Sequence, residues 1–340
     1  MVRMLPKSRV LAFLALGVGC VLLGAGLLLP RLVDAERPLP LDLSQTSLSV
    51  TDPAATIGKA FLAGAAEDDP DTITGPVSRN LSVSVGAPVD EDATAVTVGV
   101  STLRDDMAES LGDQAALLEA EVWSMRVDRN DGSVAGDVKV ADTLGTPAGD
   151  AEIDGQWLAF PRDTAQETYQ FFDRLLRRSL PADFDRVEEI DGREVYVFRQ
   201  TLSAEPVLTA NPRYAWLTQT VTTPAETDDE GVETAPATST VSTLHRSGTR
   251  EITVEPTSGM IVSVREDTRD YYAAADGAET GLLLDLHGET SEEERDALLD
   301  QAVEVGEDRP VSMWSLALTV IGAIVTVAAG FVALRPQRRQ

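Results

Sequence analysis

Two long stretches without a charged residue, one near each end, constrain this chain most strongly. Val10–Leu29 has 20 consecutive residues and Val311–Leu334 has 24, and neither contains Asp, Glu, Lys or Arg. As α-helices rising about 1.5 Å per residue, they reach about 30 and 36 Å, enough to cross a hydrocarbon core about 30 Å thick. A surface helix of a globular domain normally has a charged side over such a length. The sequence therefore predicts transmembrane helices at 10–30 and 311–334.

The flanking cations predict how these helices are oriented. Six cations lie in the two short tails, 1–9 and 335–340. Three lie on the opposite side of the apolar stretches, namely Arg31, Arg37 and Arg309. Because segments rich in Lys and Arg remain in the cytoplasm, we predict two cytoplasmic tails, two passes through the plasma membrane and an extracytoplasmic region at 31–310.

The first apolar stretch has a second interpretation. Val33-Asp34-Ala35 fits the cleavage site of a signal peptide, although the stretch is longer than the usual signal core of about 7–15 residues. Cys20 is the only cysteine and lies within this stretch, so the region between the helices forms no disulfide. A domain of that size can fold on its hydrophobic core alone.

The region between the apolar stretches is strongly acidic. Without the six tail cations, 22 Lys and Arg residues stand against 56 Asp and Glu residues, which leaves a net charge of −34. Such a surface repels phosphate, so nucleic acid is excluded as a partner. The partner classes that we expect are the lipid bilayer, a second copy of the chain and other components of the cell envelope.

Alternating apolar and small polar residues recur throughout 31–310. Leu81–Val85 and Ala95–Val100 have the period of two that is typical of a half-buried strand. Seven further runs have the same character: Val122–Val127, Asp137–Ala141, Glu194–Thr201, Trp216–Thr222, Ser239–Leu244, Glu251–Val254 and Met260–Arg265. Their short links favour antiparallel pairing. The predicted fold class is α+β, a mostly antiparallel β extracytoplasmic domain with one or two packed helices, flanked by two transmembrane helices.

Two segments of this domain have helical periodicity. Thr164–Leu180 is predicted as a helix with one apolar side. That side consists of Tyr169, Phe172, Leu175, Leu176 and Leu180. Ser291–Val303 is predicted as a second helix that begins with a capping box, Ser291 and Glu294. We expect the first helix to pack on aromatic residues of the strands: Trp123, Tyr196, Phe198 and Trp216.

Loops and one recurring turn complete the organisation. Residues 65–72 and 222–238 are rich in acidic residues, and we predict mobile loops there. A pattern at 127–134 recurs at 254–261, with Gly132 and Gly259 at the positions where a hairpin needs a left-handed residue. This similarity indicates two hairpins and leaves open whether the domain is an internal duplication.

The sequence predicts no catalytic, cofactor-binding or metal-binding residues. His245 and His287 are the only histidines and lie 42 residues apart. The sequence contains no Gly-x-Ser-x-Gly elbow and no nucleotide-binding glycine pattern. The Asp128–Gly132 turn departs from a calcium loop in its glycine position and has Lys139 where the last acidic ligand belongs, so we interpret it as a polar hairpin turn.

An ordered set of short motifs resembles a known family. These motifs are Phe160-Pro161, Tyr169–Asp173, Asp191-Gly192, Tyr196-x-Phe198 and Val254-Glu255-Pro256-x-x-Gly259. Together with an apolar segment at each end, they resemble the porin PorA family of envelope proteins from high-GC Gram-positive bacteria, over about residues 10–334. The resemblance implies an envelope membrane protein, and the family name implies channel activity. It implies no catalytic residues.

The apolar stretches also have small residues on one side. On the second helix these are Ser315, Thr319, Gly322, Thr326 and Gly330, and on the first they are Ala15, Gly19 and Gly26. Such faces let helices approach closely in lipid. We predict a doubly anchored, non-enzymatic envelope protein with a structural or binding domain. The alternative is an oligomeric, cation-preferring channel.

Overall fold

The computed structural model describes residues 7–33, 40–41, 43–62, 68–89, 93–112, 116–142, 147–207, 218–223, 226–227, 233–306 and 309–334. The chain divides into two compact units. One is a helical unit formed by the two ends of the chain, Met1–Arg37 and Gly306–Gln340. The other is a sheet domain, Pro38–Val305.

Antiparallel strands make up most of the sheet domain, which confirms the predicted fold class at this level. In chain order they are β1 Ser47–Gly58, β2 Thr72–Val89, β3 Ala93–Arg104, β4 Leu117–Asp128, β5 Val134–Ala141, β6 Gly149–Ala151, β7 Tyr169–Asp173, β8 Arg178–Ile190, β9 Arg193–Pro206, β10 Gln219–Thr223, β11 Glu226–Thr227, β12 Glu233–Ala235, β13 Thr238–Val254, β14 Ile261–Ala274 and β15 Glu279–Glu289. The helices are α1 Lys7–Val33, α2 Asp105–Leu111, α3 Glu292–Gly306 and α4 Arg309–Leu334, and Lys59–Phe61 forms one 3-10 turn.

Within the described residues, one 13-stranded sheet has the order β6-β5-β4-β3-β2-β1-β15-β14-β13-β9-β8-β7, and β10 pairs with β13. The first six strands form one continuous meander. The strand β1 joins this meander to β15, so strands from the start and the end of the domain lie side by side in the middle of the sheet. The short strands β11 and β12 form a separate hairpin.

The sheet curls so that distant strands share one core. Trp123 of β4 packs edge-on against Phe172 of β7, with ring centres 5.6 Å apart, although eight strands separate β4 from β7 in the sheet order. Trp157 contacts both rings from the segment between β6 and β7. Burying these rings together removes a large apolar area from water. The core therefore lies on the concave face of the sheet.

The predicted helix at Thr164–Leu180 is wrong. Tyr169–Asp173 is strand β7, a turn follows, and β8 begins at Arg178. The apolar residues at helical spacing are buried for another reason, because Phe172 points from a strand into the core while Leu175 and Leu176 lie in a buried turn. Pairing with β8 across a short turn satisfies the backbone of this segment, and this sheet pairing overrides the helical periodicity.

The remaining strand predictions agree with the structure where it describes them. Ser239–Leu244 and Glu251–Val254 belong to one long strand, β13, rather than to two. Trp216 lies outside the described residues. The loop predicted at 222–238 is only partly a loop, because it contains the end of β10 and the β11–β12 hairpin.

The two recurring turns are hairpins with left-handed glycines, as predicted. Gly132 has φ +73° and Gly259 has φ +76°. Both turns contact the same extended segment: Gly132 lies against Ala159, and the carbonyl of Gly259 accepts the N–H of Phe160 at 2.8 Å. In the sheet order, one hairpin joins β4 to β5 and the other joins β13 to β14.

The second predicted helix is confirmed as α3. The Ser291 hydroxyl accepts the N–H of Glu294 at 3.2 Å, which caps its first turn. The Glu294 carboxylate accepts the N–H of Ser49 in β1 at 3.0 Å instead of completing the capping box. Leu298 and Leu299 of α3 are buried in one cluster with Val262 of β14, so the helix covers this part of the sheet.

In the helical unit, α1 packs closely on α4 through the predicted small residues. The Ser315 hydroxyl donates to the Gly26 carbonyl at 2.6 Å. A Cβ atom on Gly26 would lie 2.7 Å from the backbone nitrogen of Thr319, and one on Gly19 would lie 2.8 Å from that of Thr326. These contacts need glycine, and they pair the two small faces within one chain.

One helix of the described residues is long and apolar enough to cross a membrane, by length and composition. Its apolar stretch is Trp314–Phe331, whereas the apolar stretch of α1, Leu14–Leu29, is shorter. The large side chains of α4 are exposed, including Leu316, Ile324 and Val327. Such a surface is stable in lipid rather than in water.

Candidate functional site

Two arginines and two carboxylates hold matching positions on the inner face of the β13–β14 hairpin. Arg246 lies opposite Asp270, and Arg250 lies opposite Glu266. Alternate residues of a strand point to the same face, so all four side chains enter the domain. Each residue is at most 6% exposed.

These four charges form two direct pairs. Arg246 donates from Nε to Asp270 at 2.6 Å and from Nη2 to the other carboxylate oxygen at 2.7 Å. Arg250 donates from Nε to Glu266 at 2.8 Å. Two-point contact of this kind suits the planar guanidinium and fixes the orientation of both partners. The hairpin therefore carries a ladder of buried ion pairs.

Asp173 links the two rungs of this ladder from the end of β7. Its carboxylate accepts from Arg246 and from Arg250, each at 3.2 Å, and also from the backbone N–H of Leu176 at 2.8 Å. Asp173 itself is fully buried. Asp173 thus closes the β7–β8 turn and links β7, the last strand in the sheet order, to β13.

Gln200 and Arg79 extend the network to β9 and β2. Gln200 accepts from Arg250 Nη1 at 2.8 Å and donates to the Phe171 carbonyl at 2.7 Å. Arg79 Nη1 pairs with Glu266, which it shares with Arg250. Arg79 Nε is buried and has no hydrogen-bond partner within the described residues.

A second group of charges lies at the β7–β8 turn. Arg174 donates to Glu119 of β4 at 2.7 Å, and Arg177 donates to Glu121 at 2.8 Å and to Asp142 at 3.0 Å. The Arg177 guanidinium also lies 4.2 Å from the centre of the Trp123 ring. Arg177 has φ +55°, a conformation that costs an L-residue roughly 1–2 kcal/mol. The ion pairs hold it there.

The arginines control the ionisation of the buried acids. Burial by itself raises the pKa of Glu266, but the charges of Arg79 and Arg250 outweigh burial and lower this pKa to about 2. Burial also raises the pKa of Glu119, but Arg174 outweighs burial and lowers this pKa to about 2. Burial also raises the pKa of Asp173, and Arg246 and Arg250 bring it well below its usual range. All three carboxylates are ionised at neutral pH.

An elongated cavity of about 250 Å³ lies beside this network. Apolar side chains form most of its walls, among them Leu48, Leu81, Val83, Val96, Trp157, Phe171 and Val264. At one end Arg79, Arg250 and Glu266 line it, and at the other end lies Val85, which is 40% exposed. Arg79 and Val85 are six positions apart on β2, or about 20 Å. The cavity therefore extends along β2 from the buried charges towards the exposed Val85.

This charge network was not predicted from the sequence, although the sequence contains a signal for it. Arg246 and Arg250 precede the β13–β14 turn at the same distances at which Asp270 and Glu266 follow it. The two arginines are four residues apart on one strand and the two carboxylates are four apart on the other, so each pair of like charges shares one face of its strand. Opposite charges at equal distances from a predicted turn indicate ion pairs across the hairpin. No comparable local pattern in the sequence predicts that Asp173 and Arg79 belong to this network.

The two histidines and the Asp128–Gly132 turn do not form a ligand site, and their side chains have other contacts. His245 stacks on Tyr271, and His287 pairs with Asp267 at 2.9 Å on the surface. Asp128 accepts the N–H of Asn130 at 2.7 Å, so this segment is a polar hairpin turn. Across the parts of the chain that the structure describes, no three His, Cys, Asp or Glu side chains are grouped to hold a metal ion.

A mostly antiparallel sheet domain, joined to an apolar helix long enough to cross a membrane, defines a membrane protein with a large globular domain. The family profile of Porin PorA matches residues 11–332, and the chain belongs to this family. This match confirms the resemblance predicted from the ordered motifs.

Two curated relatives are each named Porin PorA, like the family. A Porin PorA of Corynebacterium amycolatum is 25% identical over 224 residues, which cover 59% of this chain and 55% of the relative. A Porin PorA of Corynebacterium resistens is 29% identical over 130 residues, which cover 34% of this chain and 29% of the relative. The chain thus spans about half of the first relative and less than a third of the second.

Proposed function

We propose that this chain is a doubly anchored envelope membrane protein whose extracytoplasmic sheet domain binds the apolar chain of an amphiphile in its cavity, without catalysing a reaction. The observation that carries the proposal is the cavity itself. Its walls are mostly apolar, and at one end lies Val85, which is exposed. Its volume of about 250 Å³ exceeds the cavity of about 150 Å³ that suffices for benzene in another protein.

The extent of the cavity along β2 favours an extended chain over a compact ring system. The strands β1 to β4 form one wall, and their inner residues are mostly Val and Leu. Each methylene group that such a wall removes from water contributes about 0.8 kcal/mol. A chain that fills the cavity along its length therefore binds tightly without many polar contacts.

Two anchors suit this role because they hold the domain at the membrane, where amphiphiles are concentrated. The charges of the two tails support cytoplasmic termini. A reporter fused at residue 340 that is active only outside the cell should stay silent, whereas one fused after Arg37 should be active. Activity of the external reporter at residue 340 would refute the two-pass arrangement.

Binding is tested with two neighbouring substitutions on β2. Val83 lines the cavity, and Ser84 next to it is exposed on the outer face. Val83→Trp should fill the cavity, while Ser84→Trp adds the same side chain outside it. Native mass spectrometry of the full-length chain, released from detergent micelles after incubation with 1-monopalmitoylglycerol, counts the bound ligand.

We expect one bound ligand in the wild type and in Ser84→Trp, and at least a tenfold loss of occupancy in Val83→Trp. Equal occupancy in all three proteins would show that the ligand associates with the helices or with residual micelle instead. In that case the cavity has no binding role.

The name of the relatives favours a second candidate, an oligomeric channel that prefers cations. The net charge of −34 on the region between the apolar stretches would concentrate cations at a pore mouth. Purified protein in planar bilayers should then conduct with cation selectivity at 0.1 M salt. This selectivity should fade at 1 M, where the screening length falls from about 10 Å to about 3 Å.

A further inference from the structure

We infer that Gln301 of α3 is a positioning residue for the ligand cavity. Its side chain binds the backbone of Gln45, and this contact holds the segment before β1 against α3, where both line the cavity. The inference rests on the proposed function, because it assigns a residue that fixes a wall of the same cavity.

The contact joins one side-chain amide to both backbone groups of one residue. Gln301 Oε1 accepts the N–H of Gln45 at 2.7 Å, and Gln301 Nε2 donates to the carbonyl of Gln45 at 2.9 Å. The same Oε1 accepts the hydroxyl of Ser44 at 2.8 Å. Gln301 is only 8% exposed, so these bonds are largely shielded from water. The amide thus bonds to Gln45 as a residue of a neighbouring strand would.

Side chains of α3 take the place of a strand along this edge. Among the described residues, β15 pairs with β1 only from Thr51 onwards. Before Thr51, Glu294 accepts the N–H of Ser49 at 3.0 Å, and Gln301 bonds to Gln45. Four residues of extended chain span about 13 Å, and seven residues of helix rise about 10.5 Å. A helix that runs antiparallel to β1 therefore reaches both positions.

Residues on both sides of this contact line the cavity. Leu43 and Leu48 line it from the start of the domain, and Leu298 lines it from α3, one turn before Gln301. These three leucines belong to one apolar cluster. The ladder between β1 and β2 begins at Ser47, so it does not include Leu43. The bonds of Gln301 therefore hold a part of the wall that the ladder leaves out.

A ligand in the cavity and the Gln301 contact should stabilise each other. Without the amide of Gln301, the N–H and carbonyl of Gln45 lose their partners, and the segment around Leu43 separates from α3 to bond with water. An apolar chain that touches both Leu43 and Leu298 opposes this separation. Because such coupling is reciprocal, the contact strengthens binding by the same factor by which the ligand strengthens the contact.

The first test compares two substitutions on α3. Gln301→Leu removes the amide but keeps a side chain of similar size, and Glu304→Leu makes the same replacement at an exposed position one turn further on. Native mass spectrometry of the full-length chain counts bound 1-monopalmitoylglycerol. We expect at least a fivefold loss of occupancy in Gln301→Leu, the lower end of ordinary coupling between sites, and wild-type occupancy in Glu304→Leu. Equal occupancy in both variants would overturn the inference.

The second test needs no variant, so it holds even if Gln301→Leu does not fold. Hydrogen exchange of the wild type is followed at single amides, with and without 1-monopalmitoylglycerol. The N–H of Gln45 should exchange at least fivefold more slowly with ligand, whereas that of Arg193 at the β8–β9 turn should keep its rate. An unchanged rate at Gln45 would overturn the inference, because a loss of occupancy in Gln301→Leu would then reflect general instability.

The two proposals fail in different ways. Absence of bound ligand from the wild type and from Ser84→Trp alike would refute the proposed function. Ligand that binds the wild type without slowing exchange at Gln45 would refute only the role of Gln301.

Discussion

Arg246 and Asp270 face each other across the β13–β14 hairpin and make a two-point ion pair, with donor–acceptor distances of 2.6 and 2.7 Å, where neither residue is more than 4% exposed. Removing two charges from water costs several kcal/mol for each ion, and only good geometry offsets that cost. The pair therefore specifies the register of the hairpin more than it adds to stability, since a shift of β14 by one residue would turn Asp270 to the other face and leave Arg246 buried without this partner.

Breaking this pair should destabilise the sheet domain strongly. Asp270→Asn leaves Arg246 buried with half of its negative partners, and we expect a loss of about 3–5 kcal/mol in the free energy of unfolding. Urea denaturation of the full-length chain, followed by the β-sheet circular dichroism signal, measures this loss. Asp185→Asn removes an exposed partner of Arg186 and should cost less than about 1 kcal/mol. Similar losses in both variants would contradict this account.

Acid should unfold the domain over a defined range of pH. The pKa of Glu266 and that of Glu119 lie near 2 in the folded protein, against about 4.5 when exposed. Because the folded pKa values are lowered, their stabilisation is complete above about pH 4.5 and is lost as the pH falls towards 2. Each group contributes on the order of 3 kcal/mol at neutral pH.

The urea midpoint at a series of pH values checks this prediction. It should be level from pH 7 to 5 and fall steeply below 4.5. Glu266→Gln should lower the midpoint at pH 7 and flatten the decline, whereas the exposed Glu289→Gln should keep the wild-type profile. A midpoint that is independent of pH down to 3 would contradict the lowered pKa values.

The aromatic core should tolerate truncation poorly. Phe198 is fully buried and stacks on Phe160 with ring centres 4.7 Å apart. Phe198→Ala should cost about 3–5 kcal/mol, since the removed ring leaves a cavity that the curled sheet fills only in part. Val187→Ala, at a side chain that is 45% exposed, serves as the control. An unchanged thermal midpoint in Phe198→Ala would mean that the inward face of β9 is assigned wrongly.

The contact between α1 and α4 should depend on single glycines. Gly26→Val places a branched side chain where a Cβ atom already lies 2.7 Å from the Thr319 backbone, so the helices should separate. Gly17 has no atom within 4 Å of its Cβ position, and Gly17→Val should leave the pair intact. Double electron–electron resonance measures the distribution of distances between spin labels at Cys20 and at Val327→Cys. This distribution should broaden in Gly26→Val and stay unchanged in Gly17→Val.

The same contact bears on conductance. Ser315, Thr319 and Thr326 face α1 within the chain, which leaves these polar groups in the helix contact rather than free to line water. Replacing all three with Leu should therefore weaken the α1–α4 contact and leave no conductance to lose. A stable cation-selective current from the wild type that disappears in this triple variant would favour the channel over the binding protein.

Local patterns were sufficient to predict much of the fold. Strands β2, β3, β4, β5 and β9, the cap of α3, both left-handed glycines and the small faces of the end helices follow from neighbouring residues, and the structure agrees with each. Strand periodicity depends on adjacent side chains, and a left-handed turn depends on one residue without a Cβ atom. Such features leave a signal within about ten residues.

Only the tertiary structure decided the conformation of 164–180 and the place of the buried charges. Phe172 and Leu176 have helical spacing, yet this segment pairs with β8 as strand β7. Asp173 at the end of β7 pairs with Arg246 and Arg250, which lie more than 70 residues away in the chain. Arg79 reaches Glu266 across 187 residues, because the first and last strands of the domain meet in the middle of one sheet. The order of the strands and the curvature of the sheet bring these charges together, and neither is recorded in the spacing of neighbouring residues.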